Sequence, residues 1–80
     1  MQHKRTIDGR IGTRLAEARQ ARGFSQGKLA SAIGVTVGLI QAYEHGRTRI
    51  AVERLEALAD ALQCDAADLL TPARAHRRQA

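Results

Sequence analysis

Apolar residues recur along the chain at the spacing of short amphipathic helices, and glycines separate the apolar stretches. Ile11, Leu15 and Ala18 fall four and then three residues apart, so they lie on one face of a first helix predicted over 10–22. Gly23 follows, and a glycine just past the last turn is a common helix end. No stretch alternates apolar and polar residues as a half-buried strand does. The pattern therefore predicts an all-α chain.

A second and a third helix are predicted on either side of Gly34. Ser25 is suited to cap the second helix, which extends to about residue 32, and Thr36 to cap the third, which covers 37 to about 45. The turn at Gly34 is expected to need a positive φ, which glycine adopts without penalty. The small side chain of Ala30 lets the two helices approach closely. This arrangement is typical of a helix-turn-helix, which presents its second helix to the major groove of DNA.

Two more helices complete the predicted fold. Leu55, Leu58 and Leu62 repeat at helical spacing, so a fourth helix is predicted over 52–62. A short fifth helix is predicted to end at Leu70, and Asp65 can cap its start. Five short helices with close connections indicate one small all-α domain.

The chain is expected to comprise a flexible basic arm over 1–9, one helix-turn-helix domain over 10–71 and a basic disordered tail over 72–80.

Charge is unevenly distributed along the chain. Residues 1–49 hold nine Lys or Arg against three acidic residues, whereas 50–70 hold one Arg against five. The first half of the chain therefore attracts a polyanion such as DNA. Ordinary solubilising charge is the alternative, and the segregation of the charge favours a nucleic-acid partner.

Other function classes lack the residues that they need. The single cysteine, Cys64, cannot form an internal disulfide. We expect neither a signal peptide nor a membrane span, because no apolar run is long enough, and hence a cytoplasmic, nucleoid-associated protein. Ser25 has no evident base beside it for nucleophilic catalysis. The three histidines are too scattered for a metal site, being His3, His45 and His76. Neither an enzymatic activity nor a cofactor is expected.

Short motifs follow one another in a fixed order through the chain. They are Ile-Gly-Thr-Arg-Leu at 11–15, Gly-Phe-Ser-Gln at 23–26, Leu-Ala at 29–30, Ile-Gly-Val-Thr at 33–36, Ile40, Tyr-Glu-His-Gly at 43–46, Leu55, Leu-Ala at 58–59, Leu62 and Asp-Leu-Leu at 68–70. Together they resemble the XRE family, the lambda-repressor-like and Cro-like regulators, over about residues 10–71. The similarity is greatest to short single-domain members. It implies a five-helix lambda-repressor-like fold and a transcriptional regulator, expected to be a repressor, that binds double-stranded DNA sequence-specifically.

The third helix is expected to read the bases with the face opposite its buried one. Ile40 and Tyr43 mark the buried direction, and the expected base contacts are Val37, Gly38, Gln41 and Ala42. Gln41 is the one strong polar reader on this face and can pair bidentately with adenine. Val37 and Ala42 can touch thymine methyl groups. Two alternatives stay open: Gln41 is only a solvated helix residue, or specificity depends on DNA shape and backbone contacts.

The resemblance also implies which residues grip the DNA backbone and which hold the reading helix. The expected backbone contacts are Gln26, Thr36, Arg47, Arg49, Arg14, Lys28 and His45. For Gln26 the alternative is a polar residue at the start of the helix with no partner, and for Arg14 and Lys28 it is ordinary surface charge. The family places an ion pair at positions that match Arg19 and Glu44, and we expect this pair to tie the first helix to the end of the third without reading bases itself.

Assembly and partners follow from the same resemblance. Relatives bind inverted repeats as two-fold dimers, which implies a homodimer with Leu69 and Leu70 of the fifth helix at the interface. The alternative is that both leucines complete the core, and we expect that one of them does so while the other is partly free. Two other functions stay open: an antitoxin or adaptor whose main partner is a protein, which the sparse reading face favours, and a non-specific nucleoid or RNA-binding protein.

Overall fold

The computed structural model describes residues 2–70, with side chains for 10–70, and this part of the chain forms five helices and no strand. The helices are α1 (Gln2–Ala21), α2 (Gln26–Ile33), α3 (Val37–Glu44), α4 (Val52–Ala61) and α5 (Ala66–Leu70). The predicted all-α fold of five helices is confirmed. None of these helices is long and apolar enough to cross a membrane. The tail predicted over 72–80 lies outside the described residues.

The first helix begins earlier than the sequence pattern predicts. The pattern starts it at Arg10, after an arm over 1–9, whereas α1 begins at Gln2. Residues 2–9 carry no apolar stripe, so periodicity gives no signal there. They also contain no proline, and a helix that is already nucleated extends at little cost. The predicted arm is therefore corrected, from Gln2 onward, to an extension of α1.

The helices enclose a core built almost wholly from aliphatic side chains. Among residues 10–70, six side chains are fully buried, namely Leu15, Leu29, Ile40, Leu58, Leu62 and Leu69. Burial of each contributes on the order of 1.5–3 kcal/mol before the entropy of ordering is subtracted. Ala18, Ile50 and Cys64 connect the larger cluster around Leu29 with a smaller one around Leu55. All five helices thus pack around one continuous core.

Four of the helices end in the same hydrogen-bonded turn. In each turn a backbone N–H donates to the carbonyl oxygen five residues earlier, and the pairs are Phe24 to Arg19, Val35 to Ala30, Arg47 to Ala42 and Cys64 to Ala59. The residue just before each donor has a left-handed backbone, which is glycine in three turns and Gln63, with φ of 57°, in the fourth. These turns satisfy the last carbonyl groups of each helix and keep the connections short.

At Gly12, α1 crosses α3 with no room for a side chain. A Cβ added there would lie 2.7 Å from the carbonyl oxygen of Glu44 and closer still to that of Tyr43. Glycine inside a helix costs about 1 kcal/mol relative to alanine, and the close approach of the two helix backbones offsets that cost. The C-terminal end of α3 is thereby held directly against α1.

Gly12→Ala is expected to destabilise the fold by about 1–3 kcal/mol, because the new methyl group overlaps backbone that cannot move without separating α1 from α3. Gly27→Ala is the matched control, since Gly27 is also helical and a Cβ there would meet nothing closer than 3.8 Å. The control should be neutral or stabilising by up to about 1 kcal/mol. Urea unfolding of both variants measures the difference, and equal stabilities would contradict the close crossing.

Candidate nucleic-acid interface

α2 and α3 form the helix-turn-helix that the sequence predicts. The turn between them passes through Gly34, whose φ of 74° is left-handed, and Ala30, only 2% exposed, lies in the core that the two helices share. Each helix begins with a side-chain cap. The hydroxyl oxygens of Ser25 and Thr36 accept hydrogen bonds from the backbone N–H three residues later, at 2.9 and 3.1 Å. Local sequence therefore fixes where both helices start.

α3 buries one face and exposes the opposite one. Ile40 is fully buried and Tyr43 is 5% exposed. Of the four residues expected to contact bases, Ala42 is half-buried and the other three are exposed, namely Val37, Gly38 and Gln41. A Cβ at Gly38 would meet nothing closer than 3.9 Å, so the backbone there is open to close approach. We call Val37, Gly38, Gln41 and Ala42 the reading strip.

Four of the basic side chains expected to contact the DNA backbone are exposed, namely Lys28, His45, Arg47 and Arg49. The ammonium group of Lys28 lies 4.9 Å from the centroid of the Phe24 ring, a cation–π contact near the start of α2. Arg14 differs from these four. Its side chain is only 20% exposed, and Nη1 lies 3.8 Å from Oε1 of Glu17. Part of its charge is therefore neutralised within α1, which makes Arg14 the weaker candidate.

The structure brings Arg19 and Glu44 together where α1 meets the end of α3. Arg19 Nε donates to Glu44 Oε2 at 2.7 Å and Nη2 donates to Oε1 at 3.2 Å, a bidentate pair. Nη1 donates to the carbonyl oxygen of Phe24 at 2.8 Å. The two side chains are only 12% and 5% exposed. The pair thus connects α1, the segment before α2 and the C-terminal end of α3 within the protein.

Gln26 takes part in the same network, which the sequence does not indicate. Its Nε2 donates to Oε1 of Glu44 at 3.0 Å, and its Oε1 accepts a hydrogen bond from Nε2 of Gln41 at 3.3 Å. The sequence suggests only a phosphate contact for Gln26. The two internal bonds form because α2 packs across α3, and nothing in the spacing of these positions along the chain signals them.

α5 separates the two leucines that the resemblance assigns to a dimer interface. Leu69 is 1% exposed and belongs to the core, whereas Leu70 is 55% exposed. Consecutive residues on a helix point about 100° apart, and α5 packs so that Leu69 faces the core and Leu70 faces away from it. The expectation for Leu69 is therefore corrected to a core role, and Leu70 alone is accessible to a partner. Val52, at the start of α4, is a further exposed apolar residue at 68%.

Cys64 is half-buried between the two parts of the core. Burial raises the pKa of its thiol, and the nearby carboxylates of Asp68 and Asp65 raise it further. The thiol therefore stays protonated at neutral pH, and a protonated thiol is a poor nucleophile and a poor metal ligand.

Among the side chains of 10–70, no group of three or more His, Cys, Asp or Glu residues is placed to hold a metal ion.

Comparison with known proteins finds similarity to transcriptional regulators of the helix-turn-helix type. A model of the family described as helix-turn-helix matches residues 15–69. An uncharacterized HTH-type transcriptional regulator of Sinorhizobium fredii is 33% identical over 78 residues, which cover 92% of this chain and 54% of that protein. The chain spans about half the length of the curated relatives that it matches.

Solved structures show the same arrangement of helices. The clp gene regulator ClgR from Corynebacterium glutamicum is 30% identical, with a TM-score of 0.78 over 80% of this chain and 82% of that one. The restriction-modification controller protein C.AhdI from Aeromonas hydrophila is 31% identical, with a TM-score of 0.75 over 78% of this chain and 94% of that one. In both cases the likeness covers most of this chain.

Glu44→Gln is expected to destabilise the protein by about 3 kcal/mol, because it leaves the guanidinium of Arg19 buried without a carboxylate. Glu17→Gln is the matched control, since Glu17 is 62% exposed and its pair with Arg14 is long. An exposed pair of this kind contributes about 0.5 kcal/mol or less. Urea unfolding of both variants measures the contrast. A loss at Glu44 no larger than the loss at Glu17 would argue against a structural role of the buried pair.

Proposed function

The chain belongs to the helix-turn-helix family of the XRE type, a family of DNA-binding transcriptional regulators and not of enzymes, and on this premise we propose that the protein is a repressor. It binds an inverted-repeat operator in double-stranded DNA as a homodimer, with α3 of each copy in the major groove. It acts in the cytoplasm, on the nucleoid, and needs neither a metal nor a cofactor.

The observation that carries the proposal is the exposure of the reading strip on a helix whose other face is fixed in the core. The major groove is about 12 Å wide and admits one α-helix. The amide of Gln41 matches the donor and acceptor of adenine, and the methyl groups of Val37, which is 40% exposed, suit the methyl group of thymine. Gly38 allows the helix backbone to approach the base edges, while the half-buried Ala42 reaches them with less of its surface.

Polar and basic groups close to the reading strip in the chain supply the phosphate contacts. Arg47 and Arg49 lie in the connection after α3, His45 at its end and Lys28 on α2, and all four are exposed. The hydroxyl oxygen of Thr36 accepts a hydrogen bond within α3, which leaves its O–H to donate to a phosphate oxygen. These groups position the helix on the duplex without reading its sequence.

A second copy completes the proposed operator complex. One α3 reads only one half-site, and two half-sites about one helical turn apart require a two-fold pair of chains. Leu70, exposed at the end of α5, is the proposed contact between the copies. α5 packs against α1 and α4. The exposed acidic side chains on α4 are unsuited to a DNA-facing surface and fit a location away from it; they are Glu53, Glu56 and Asp60.

Selection of the purified protein against a random duplex pool, at near-physiological salt, tests this function. We expect enrichment of an inverted repeat whose half-sites are about 10 base pairs apart. Leu70→Glu should weaken dimerisation and operator binding together. Binding without enrichment would contradict a specific regulator and favour a nucleoid-type protein. The absence of binding would favour an antitoxin or adaptor that acts on a protein partner.

Arg49→Ala is expected to lower the slope of log affinity against log salt by about 0.9 for each half-site, because one phosphate contact per copy is lost. The affinity should fall by a similar factor for operator and non-operator duplexes. Arg22→Gln is the control, since the guanidinium of Arg22 is held by Gln63 at 2.6 Å, at the connection between α4 and α5. Equal salt slopes for the two variants would contradict a phosphate contact at Arg49.

A further inference from the structure

A chain of hydrogen bonds runs from the buried ion pair to the reading strip. It passes from Arg19 to Glu44, from Glu44 to Gln26 and from Gln26 to Gln41, with the distances given above. Exposure increases along this path, because Glu44 is 5% exposed, Gln26 is half-buried and Gln41 is exposed. We infer that Gln26 is a positioning residue that orients the amide of Gln41 for reading adenine, an inference that rests on the proposed function.

The charge of Glu44 sets the direction of every bond in this path. A carboxylate accepts hydrogen bonds and donates none, so Gln26 must turn its NH₂ group towards Glu44. The carbonyl oxygen of Gln26 then points the other way and accepts from Gln41, which must in turn present its own NH₂ group. The orientation of both amides therefore follows from the ionised, buried carboxylate.

The remaining groups of Gln41 are the ones that adenine requires. One N–H is directed to Gln26, which leaves the carbonyl oxygen and the second N–H at the exposed end of the side chain. Adenine presents an N6 donor beside an N7 acceptor in the major groove, and this pattern matches an amide oxygen beside an N–H. A side chain that is already oriented loses less rotamer entropy on binding than a freely rotating one.

A phosphate contact by the Gln26 side chain would use a different atom from the one that orients Gln41, whose bond is to the carbonyl oxygen of Gln26. A phosphate oxygen accepts hydrogen bonds, so it would bind the second N–H of Gln26 Nε2, since the first N–H is directed to Glu44 at 3.0 Å. Turning the amide over would place its carbonyl oxygen against the carboxylate, which is unfavourable. The two roles also differ in their consequences, since a positioning residue affects the choice of base and a phosphate ligand affects all duplexes alike.

The first test compares variants on the selected operator and on the same duplex with the adenine read by Gln41 replaced. Gln41→Ala should reduce discrimination between the two duplexes about tenfold. Gln26→Met, which keeps the length of the side chain and removes its hydrogen bonds, should lose a comparable factor. The double variant should lose no more than Gln41→Ala alone. Lys28→Ala is the control and should weaken binding to both duplexes equally.

Gln26→Met would overturn the inference if it lowered affinity for both duplexes by the same factor and left discrimination intact. A second measurement decides the matter in the free protein, by NMR of the side-chain amide of Gln41. Its two N–H signals should move in Gln26→Met, while the signals of the exposed Gln20 should stay in place. Unchanged Gln41 signals would overturn the inference even if the protein binds DNA specifically. If the wild-type protein selects no duplex, the proposed function fails, and the same signals still test the bond.

Discussion

The carboxylate of Glu44 is the constraint on which the arrangement of the first three helices depends. A carboxylate that is 5% exposed is costly unless every charge and lone pair finds a partner. Arg19 from α1 and Gln26 from α2 supply those partners, and Glu44 itself ends α3. Gly12 allows the backbone of α1 to come close enough for the pair to form. One buried charge thereby requires three helices to meet at a single point.

This meeting point determines the orientation of α3 relative to the other helices. The caps at Ser25 and Thr36 set where α2 and α3 begin, and the left-handed turn at Gly34 sets the angle between them. Those local features do not fix the position of the C-terminal end of α3. The pair at Glu44 fixes that end against α1, so the helix is held at both of its ends. An interface with few polar readers benefits from such a fixed position, because each contact is made without further ordering cost.

Features set by neighbouring residues could be predicted from the sequence, and features set by packing could not. The caps, the turn glycines and the apolar spacing of Leu55 and Leu58 are local, and they predict all five helices, with nearly the observed bounds for α2 to α5. The extension of α1 to Gln2 carries no apolar stripe and was missed. The role of Gly12 and the bonds of Gln26 were also missed, because both arise only when α1 and α2 lie against α3.

The reading strip and the core lie on different faces of α3, so base preference can change without disturbing the packing of the helix. Val37, Gly38 and Gln41 are exposed, so substitutions there alter the groups offered to DNA with little loss of packing. Ile40 is fully buried on the same helix, and replacing it would open a cavity. Within α3, alternative base preferences are therefore accessible at three positions at small cost in stability. The choice of side chain at position 41 is narrower, because a residue without an N–H there would leave the carbonyl oxygen of Gln26 without this hydrogen bond.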